Sequence, residues 1–371
     1  MNVFKTSALN HFWALQQCLQ KYQGADSSLN PVDFVLQVRA RNRHYFLYPQ
    51  FLGFVDGRMH YTRQLAETSR GFTGWLPYFN KRWPTATSKA AFKDFCGRNG
   101  LRSPAMWRSP APDMRDFLVK QDNRAFGLGM RGPFAAYDAR DAAQAIDAGG
   151  FYEKFVRGRI VKATYWDGRL AAVEIKNMRT TQGNGKSTLR ELVSQTMHPE
   201  TPADEWKPLA DVAAYQGLSF DSVPEAGRAV LIDFRYASYS LAIDRQNGDI
   251  PKDLEGTPLL KQIRECGPVL WQGIPEAQRP ATLFTVDAIA DDQDQLWLLE
   301  MNCNPVCHPN VYSPMLETLF GRPDDLAESA TLPVSALPHP SLAVAAATRA
   351  GPLMAAPAGT PIADSRPVRV S

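Results

Sequence analysis

The chain has 371 residues, enough for two or three domains, and 44% of them are hydrophobic, which suffices for a sizeable buried core. With 41 basic and 38 acidic residues the net charge is +3, too balanced to favour a nucleic-acid-binding protein. No run of about 18 apolar residues occurs, so no membrane span is expected. Five widely spaced cysteines and an N-terminus without a secretory signal favour a reduced cytoplasmic protein.

Helices and strands alternate in the predicted order of elements. Apolar spacing predicts helices over residues 9–22, 88–100, 138–148, 187–197 and 310–320. β-type runs predict strands within 32–63, at DFLVK ending on Lys120, and over 151–156, 160–175, 228–244 and 281–302. Asp56-Gly57 and Asp167-Gly168 are typical hairpin turns. From about residue 326 Pro, Ala, Ser and Thr dominate without a periodic apolar face, which predicts a disordered tail.

The stretch 284–305, FTVDAIADDQDQLWLLEMNCNP, reads as a hairpin that carries oxygen ligands. Asp287 lies inside an apolar run, and Glu300 and Asn302 share one face of the second strand because side chains alternate along a strand. Buried carboxylates are rare unless they are paired or bind metal, and oxygen-only ligands suit Mg²⁺ that is also held by substrate phosphates. The acids of the turn are interpreted as solvated: Asp291, Asp292 and Asp294.

Two glycine-rich segments are candidates for contacting phosphate. In KQDNRAFGLGMRGPF, Lys120 ends a strand and Gly127 and Gly129 follow, so backbone amides could approach an anion; a purely structural loop is the alternative. GNGKST (183–188) has part of a P-loop pattern, but Thr180 stands where the first glycine is required and the signature fails. What remains is a loop that leads to a capped helix start, which favours anions or is an ordinary connection.

The segment Cys303-x₃-Cys307-His308 has two of the residue types that bind zinc. Because no fourth ligand is evident nearby, we interpret it as small residues that pack a turn after Pro305.

Taken in order, these segments resemble the ATP-grasp superfamily of carboxylate–amine ligases, and within it the branch of cyanophycin synthetase and the ribosomal-protein glutamate ligases. The resemblance covers roughly residues 86–322 and rests on collinear stretches: FLVKQDNRAFGLGM, FYEKFVRGRIVKATYWDGRLAAVEIKNM, TTQGNGKSTLRELV, GLSFDSVPEAGRAVLIDFR and FTVDAIA…LLEMNCNP.

The resemblance implies an α/β protein with the α+β ATP-grasp fold, in which two α+β subdomains grip ATP. Three regions are expected. Residues 1–87 would form a small N-terminal α/β domain of the pre-ATP-grasp type, and 326–371 the disordered tail. Residues 88–325 would form the ATP-grasp domain, with a lysine and glycine-loop subdomain over 88–152 and a metal-site subdomain over 153–325.

The resemblance also implies roles for individual residues. Lys120, with the loop of Gly127 and Gly129, would contact the nucleotide phosphates. The adenine pocket would be lined, partly through backbone groups, by Glu153, Lys154 and Val156. Lys162 would be a further basic nucleotide contact.

The remaining implied roles concern the metal and the reacting groups. Mg²⁺, or Mn²⁺ in its place, would bind Asp287, Glu300 and Asn302, with Asn304 supporting them or contacting substrate. Arg235 would hold phosphate or an acyl-phosphate. The loop that closes over the site would contain Gly183, Gly185 and Lys186.

Three departures from the family pattern concern the ribose contact and the acceptor side. Ile160 stands where an acid often binds the ribose, YASYSLAID replaces an Asn and a Gly-Gly pair after Arg235, and the GDG triplet is GNG.

The implied function is an ATP-dependent carbon–nitrogen ligase that forms an amide or peptide bond through an acyl-phosphate and releases ADP and phosphate. Its expected partners are ATP and amino-acid or peptide substrates, with neither nucleic acid nor membrane, and a homodimer is compatible with similar ligases. Two alternatives stay open: an ATP-grasp kinase acting on a small molecule, and a nucleotide-binding module without turnover, which the altered segment after Arg235 keeps in consideration.

Overall fold

The computed structural model describes residues 2–55, 58–67, 69–111, 113–121, 130–137, 150–196, 206–235 and 250–323. All described residues belong to one compact unit that lies within Met1–Asp325. The predicted turn at Asp56-Gly57, the predicted helix at 138–148 and the predicted tail lie outside the described residues.

The predicted α+β class is confirmed, because the described residues form helices together with four antiparallel sheets. The helices are α1 (Asn2–Leu19), α2 (Pro84–Thr87), α3 (Lys89–Arg98), α4 (Leu189–Ser194), α5 (Trp206–Tyr215), α6 (Pro258–Gln272) and α7 (Tyr312–Phe320).

The strands fall into the sheets as follows. The first sheet contains β1 (Asp26–Leu29), β2 (Leu36–Ala40), β3 (Arg43–Val55), β4 (Arg58–Thr62) and β5 (Ser69–Leu76). The second contains β6 (Met106–Trp107), β7 (Arg115–Gln121), β8 (Arg131–Ala136) and β9 (Gly150–Lys154). The third contains β10 (Arg159–Trp166), β11 (Arg169–Asn177), β14 (Leu283–Ala290) and β15 (Leu296–Cys303), and the fourth β12 (Arg179–Gln182) and β13 (Ala229–Asp233).

The third sheet, in the order β11-β10-β14-β15, is the one that positions the candidate site. Its two sequence-adjacent pairs are the hairpins predicted at Asp167-Gly168 and in 284–305, and both are confirmed as antiparallel. Its apolar face packs against α3 and α6 in the largest hydrophobic core, which includes Val161, Val286 and Ile263.

The N-terminal segment shares its core with the C-terminal end of the same unit. Leu15 of α1 and Phe51 of β3 lie in one buried cluster with Trp166 of β10 and Met315 of α7. Residues far apart in sequence therefore hold the first and third sheets together.

Some elements differ from the sequence-based expectation. The helix predicted over 187–197 spans only Leu189–Ser194, because the Thr188–Glu191 capping box, which is present as predicted, fixes its start. Helices α5 and α6 were not predicted at all, and α6 contains Pro268 in its interior.

Within the part of the chain that the structure describes, no helix combines the length and apolar character needed to cross a membrane.

A glycine between β9 and β10 permits a close approach of two backbones. A Cβ added to Gly158, whose φ is +153°, would lie 2.0 Å from the carbonyl oxygen of Ala290 at the end of β14. We predict that Gly158→Ala lowers the free energy of unfolding by about 3 kcal/mol, because backbone must shift to relieve the clash. Chemical denaturation measures it.

Gly97 provides the matched control, because it lies in α3 with no atom within 4 Å of an added Cβ. Gly97→Ala should leave stability unchanged or raise it by up to about 1 kcal/mol. Equal losses in the two variants would contradict the close packing at Gly158.

Candidate functional site

One face of the third sheet is polar although the opposite face is core. On β10 and β14, Val161, Ala163 and Val286 point into the core, while Lys162 and Asp287 point to the other side. Alternation therefore gathers the polar residues of separate strands on a single surface, which we call the polar face.

The polar face is ordered in three bands by the strand register. Ile160 lies opposite Ile289, and both are buried. Two residues further along, Lys162 lies opposite Asp287, which in turn lies opposite Glu300. The third band consists of Thr164, Thr285 and Asn302. An apolar patch is thus followed by a charged band and then by a band of hydroxyl and amide groups.

A β-bulge shapes the charged band. The pairing of β14 with β15 shifts between Asp287 and Ala288, so Leu299 becomes an extra residue on β15. Leu299 and Glu300 are consequently both partly exposed, whereas burial alternates from Leu296 to Leu298.

Each of the two facing carboxylates is paired with a lysine. The Lys162 ammonium lies 3.2 Å from Asp287 Oδ1, and the Lys89 ammonium of α3 lies 3.2 Å from Glu300 Oε2. Asn302 donates a hydrogen bond of 3.1 Å to Asp287 Oδ2. Burial raises the pKa of Glu300; Lys89 lowers it and the Asp287 carboxylate raises it, so the pKa stays above its ordinary value.

A second group of charges adjoins the first. Glu153 of β9 is 1% exposed and is paired both with Lys120 of β7 and, at 2.6 Å, with Lys93 of α3. Burial raises the pKa of Glu153, but the two ammonium groups outweigh burial and hold it below its ordinary value. Lys93 also donates to Ser103 Oγ, and Lys120 is close enough to Glu300 to lower its pKa.

Three buried polar atoms on these elements differ in how they are satisfied. Glu153 Oε2 and Asp287 Oδ1 lie beside the ammonium groups of Lys93 and Lys162, so ion pairs satisfy them. Thr285 Oγ1 is buried without such a neighbour, and buried polar atoms rarely stay unsatisfied, so it is the atom of the three that has capacity for a further partner.

The donor set fits a hard divalent cation. Asp287 and Glu300 face each other, Asn302 adds an amide, and all three offer oxygen. Among the described residues no cluster of three His, Cys, Asp or Glu side chains could hold a metal by itself. The residues therefore match a Mg²⁺ or Mn²⁺ site completed by ligand oxygens rather than a closed protein site.

The expected adenine segment connects β9 to the polar face. Lys154 places its ammonium 3.2 Å from Asp116, and its backbone N–H donates to Ala105 O. Val156 is partly exposed in the extended stretch that precedes β10. The Lys154 ammonium is thus directed to Asp116. A contact between the backbone of Lys154 and a nucleotide stays a prediction.

Arg235 lies at the end of β13 with its guanidinium on Asp233, at 3.0 and 3.1 Å. Phe234 next to it contacts the ring of Phe155 with 5.1 Å between centroids. The contact of Phe234 with Phe155 brings the end of β13 beside the expected adenine segment, and the phosphate role of Arg235 stays a prediction.

The GNGKST loop folds against residues 224–228. An added Cβ at Gly183 would lie 2.2 Å from Glu225 O, and Gly185 has φ +70°. Asn184 Oδ1 accepts from the backbone amides of Lys186 and Ser187. These amides are therefore occupied within the loop, and closure over a nucleotide would use the exposed Lys186 side chain or a rearranged backbone.

Asn304 is buried and joins the hairpin to the N-terminal segment. Its side chain accepts from Lys81 N–H at 3.0 Å and donates to Asn80 Oδ1 and Lys81 O, both at 2.7 Å. These contacts hold the end of the hairpin against Asn80 and Lys81, and the expected role of Asn304 beside the metal ligands or the substrate stays a prediction.

Two further sequence predictions concern the glycines after Lys120 and the cysteine segment after Asn302. Gly127 and Gly129 lie outside the described residues. Cys307 is buried, and His308 Nδ1 accepts a hydrogen bond from Asn310 N–H, as the packing interpretation of this segment expects. All five cysteines are free thiols.

Sequence reasoning missed Lys89 and Lys93, which contact Glu300 and Glu153. The signal was present: lysines four residues apart on a helix capped by Ser88 share one face. Their partners are distant in sequence, so the spacing alone did not identify the face as functional.

No protein-family model and no curated protein matches the chain. Among solved structures, it is similar to a bifunctional glutathione synthetase from Pasteurella multocida, with 16% identity, a TM-score of 0.37, and coverage of 84% of this chain and 43% of that one. It is also similar to an L-amino acid ligase from Bacillus licheniformis, with 11% identity, a TM-score of 0.31, and coverage of 63% and 44%.

A third similar structure is the D-alanine–D-alanine ligase from Bacillus anthracis in complex with ATP, with 10% identity, a TM-score of 0.32, and coverage of 64% of this chain and 66% of that one. The chain spans less than half the length of the first two proteins. At these scores the similarity carries no argument about activity, which must be argued from the chain's own residues.

The buried Glu153 yields a stability prediction. Glu153→Gln should lower the free energy of unfolding at pH 7 by about 3 kcal/mol, because it leaves the buried ammonium group of Lys93 and the partly exposed one of Lys120 without their shared counter-charge. The pKa of Glu153 is below its ordinary 4.5, so its contribution is present above that pH and lost as the pH falls through the folded-state value. The difference between variant and wild type should narrow in acid.

Denaturant titrations at pH 7 and over a series that extends below pH 4 measure this difference. Glu265→Gln is the control, because Glu265 is exposed and paired at 3.8 Å with Lys261, and it should change stability by less than about 0.5 kcal/mol. A Glu153→Gln protein as stable as wild type would show that the charge cluster is not held as described.

Proposed function

We propose that this chain is an ATP-dependent carbon–nitrogen ligase of the ATP-grasp type, acting on amino-acid or peptide substrates. The observation that carries the proposal is the three-band polar face, with apolar, charged, and hydroxyl and amide bands in register. A nucleoside triphosphate has the same order of chemistry: an apolar base, a run of phosphates, and a reacting end.

The bands give the nucleotide one orientation. The base would lie on Ile160 and Ile289 beside the backbone of residues 154–156, since a planar base is stabilised by apolar contact and backbone polar groups. Ile160, which stands in place of an expected ribose acid, then widens the apolar surface instead of binding a sugar hydroxyl. The phosphates would point toward Lys162 and Lys120.

The lysines would supply fixed positive charge to a polyphosphate. Lys89, Lys120 and Lys162 come from a helix and two different sheets and meet beside Asp287 and Glu300. Charge arranged before the substrate arrives stabilises charge that develops during reaction, because no reorganisation is then needed.

A divalent cation, Mg²⁺ or Mn²⁺, would be held by Asp287, Glu300 and Asn302 and would neutralise phosphate charge. The contribution of this chain is to hold the two carboxylates opposite each other, and Asn302 fixes the orientation of Asp287 by its hydrogen bond.

The reaction that fits this site needs no protein nucleophile, because the phosphoryl group would pass directly from ATP to the substrate. A substrate carboxylate oxygen would attack the γ-phosphorus and release ADP; an amine would then attack the acyl carbon and release inorganic phosphate, losing its proton to a base or to water. The third band, Thr164, Thr285 and Asn302, lies next to the charged band where such substrates would meet it.

Within the ATP-grasp ligases we propose the branch of cyanophycin synthetase and the ribosomal-protein glutamate ligases, because the motifs of this chain resemble those of that branch.

The rival function is a kinase, which needs the same phosphate contacts but transfers the phosphoryl group to a hydroxyl. A binding module without turnover is the second rival, and the departure after Arg235 is the feature in its favour.

We predict that the purified protein, given ATP, Mg²⁺ and a panel of amino acids and dipeptides, releases ADP and phosphate and forms an amide product. Phosphate release with mass spectrometry of the products measures this. Release of AMP would refute the acyl-phosphate route, and a stable phosphorylated product without an amine would establish the kinase.

The carboxylate pair is tested by substitution. Asp287→Asn and Glu300→Gln should each lower kcat by at least about 100-fold, because each removes charge from the phosphate-neutralising site. Asp292→Asn, on the exposed turn of the same hairpin, is the matched control and should leave kcat unchanged. Full activity in Glu300→Gln would place catalysis elsewhere.

A further inference from the structure

The two carboxylates that would hold a metal ion are already occupied by cations from the chain itself. Lys162 lies 3.2 Å from Asp287 and Lys89 lies 3.2 Å from Glu300. Because Asp287 and Glu300 are directly opposite on neighbouring strands, their mutual repulsion would be uncompensated without these lysines. The lysines therefore stand where a divalent cation would otherwise provide the counter-charge.

The charged residues joined by these contacts have a nearly balanced sum. Four lysines and three carboxylates give a net charge of +1: Lys89, Lys93, Lys120 and Lys162 with Glu153, Asp287 and Glu300. Glu174, opposite Lys162 on β11, is paired with Lys176 at 3.4 Å and adds nothing to the sum.

The sum distinguishes three ligands. A divalent ion alone would raise the charge to about +3, and ATP alone, with about four negative charges, would lower it to about −3. The complex of the two, with about two negative charges, would bring it to about −1, the smallest magnitude among the liganded states. The cleft that the polar face would line is thus closer to neutral with the complex than with either component alone.

We propose that Lys162 and Lys89 act as specificity-determining latches, which block the carboxylates against a free metal ion and release them only when the ion arrives with a polyphosphate. This inference rests on the proposed function, because it needs a nucleotide in the cleft. Phosphate oxygens give each ammonium group a new partner at the moment it leaves its carboxylate. A metal ion without nucleotide brings no such partner, so it must displace both ammonium groups from their carboxylates without supplying another anion.

The side chains have the freedom this exchange requires. Lys162 and Asp287 are 25% and 19% exposed, and Lys89 and Glu300 are 17% and 27% exposed. The pairs are therefore accessible from the cleft, unlike Lys93 with Glu153, whose side chains are 6% and 1% exposed. Lys93 remains on Glu153 while Lys120 turns to phosphate, so the exchange leaves no buried carboxylate without a cation.

The test measures Mn²⁺ binding by electron paramagnetic resonance, with and without a non-hydrolysable ATP analogue. Wild type should bind Mn²⁺ weakly alone and at least about tenfold more tightly with the analogue. Lys162→Met should bind free Mn²⁺ at least about tenfold more tightly than wild type, because one positive charge beside the ligand oxygen is gone. Lys89→Met should show a gain in the same direction, so either variant suffices if the other fails to fold.

Lys261→Met is the matched control, because it removes the same charge from an exposed pair on α6 and should leave free Mn²⁺ affinity at the wild-type value. Wild-type affinity for free Mn²⁺ equal to that with the analogue would overturn the latch, as would a folded Lys162→Met protein with no gain. Absence of analogue binding to wild type would instead overturn the proposed function, which separates the two failures.

Discussion

The arrangement depends on one electrostatic constraint: Asp287 and Glu300 face each other across neighbouring strands in a partly buried cleft. Two carboxylates in that position are unstable unless positive charge is near both of them. Burial and the Asp287 carboxylate both raise the pKa of Glu300, because both disfavour its charged form. Lys89 and Lys162 supply this positive charge. The elements that carry the two lysines must therefore keep their positions for Asp287 and Glu300 to stay opposite each other.

The fold satisfies this constraint through the third sheet and α3. The register aligns Lys162, Asp287 and Glu300 in one row, and the bulge turns Glu300 toward the cleft. Helix α3 packs its apolar residues on the core side of the sheet while its lysines at positions 89 and 93 reach two different carboxylates. Helix α3 therefore links the hairpin that carries Asp287 and Glu300 to the sheet that carries Lys120. A change in the position of α3 would alter the ion pairs of Glu300 and Glu153 together.

Part of this could be predicted from sequence, because it is written in local patterns. The hairpin 284–305 has two β-type runs around a short acidic turn, so the strands and the shared face of Glu300 and Asn302 followed from period. The bulge at Leu299, which sets the register that places Asp287 opposite Glu300, did not follow from period. Helix α6 was missed because Gly267-Pro268 interrupts a helical pattern; in the structure Gly267 permits contact with Tyr165 and Gly168, which no local rule reveals. Lys89 and Lys93 were missed because their partners lie in other elements.

The proposed function depends on the polar face of the third sheet binding a metal–nucleotide complex through Asp287 and Glu300. Crystals grown with Mn²⁺ and a non-hydrolysable ATP analogue test it most directly, through the anomalous signal of the metal. We expect a Mn²⁺ peak within bonding distance of an oxygen of each carboxylate, with the base on Ile160 and Ile289. A peak at any other place, or a nucleotide bound away from this face, would contradict it.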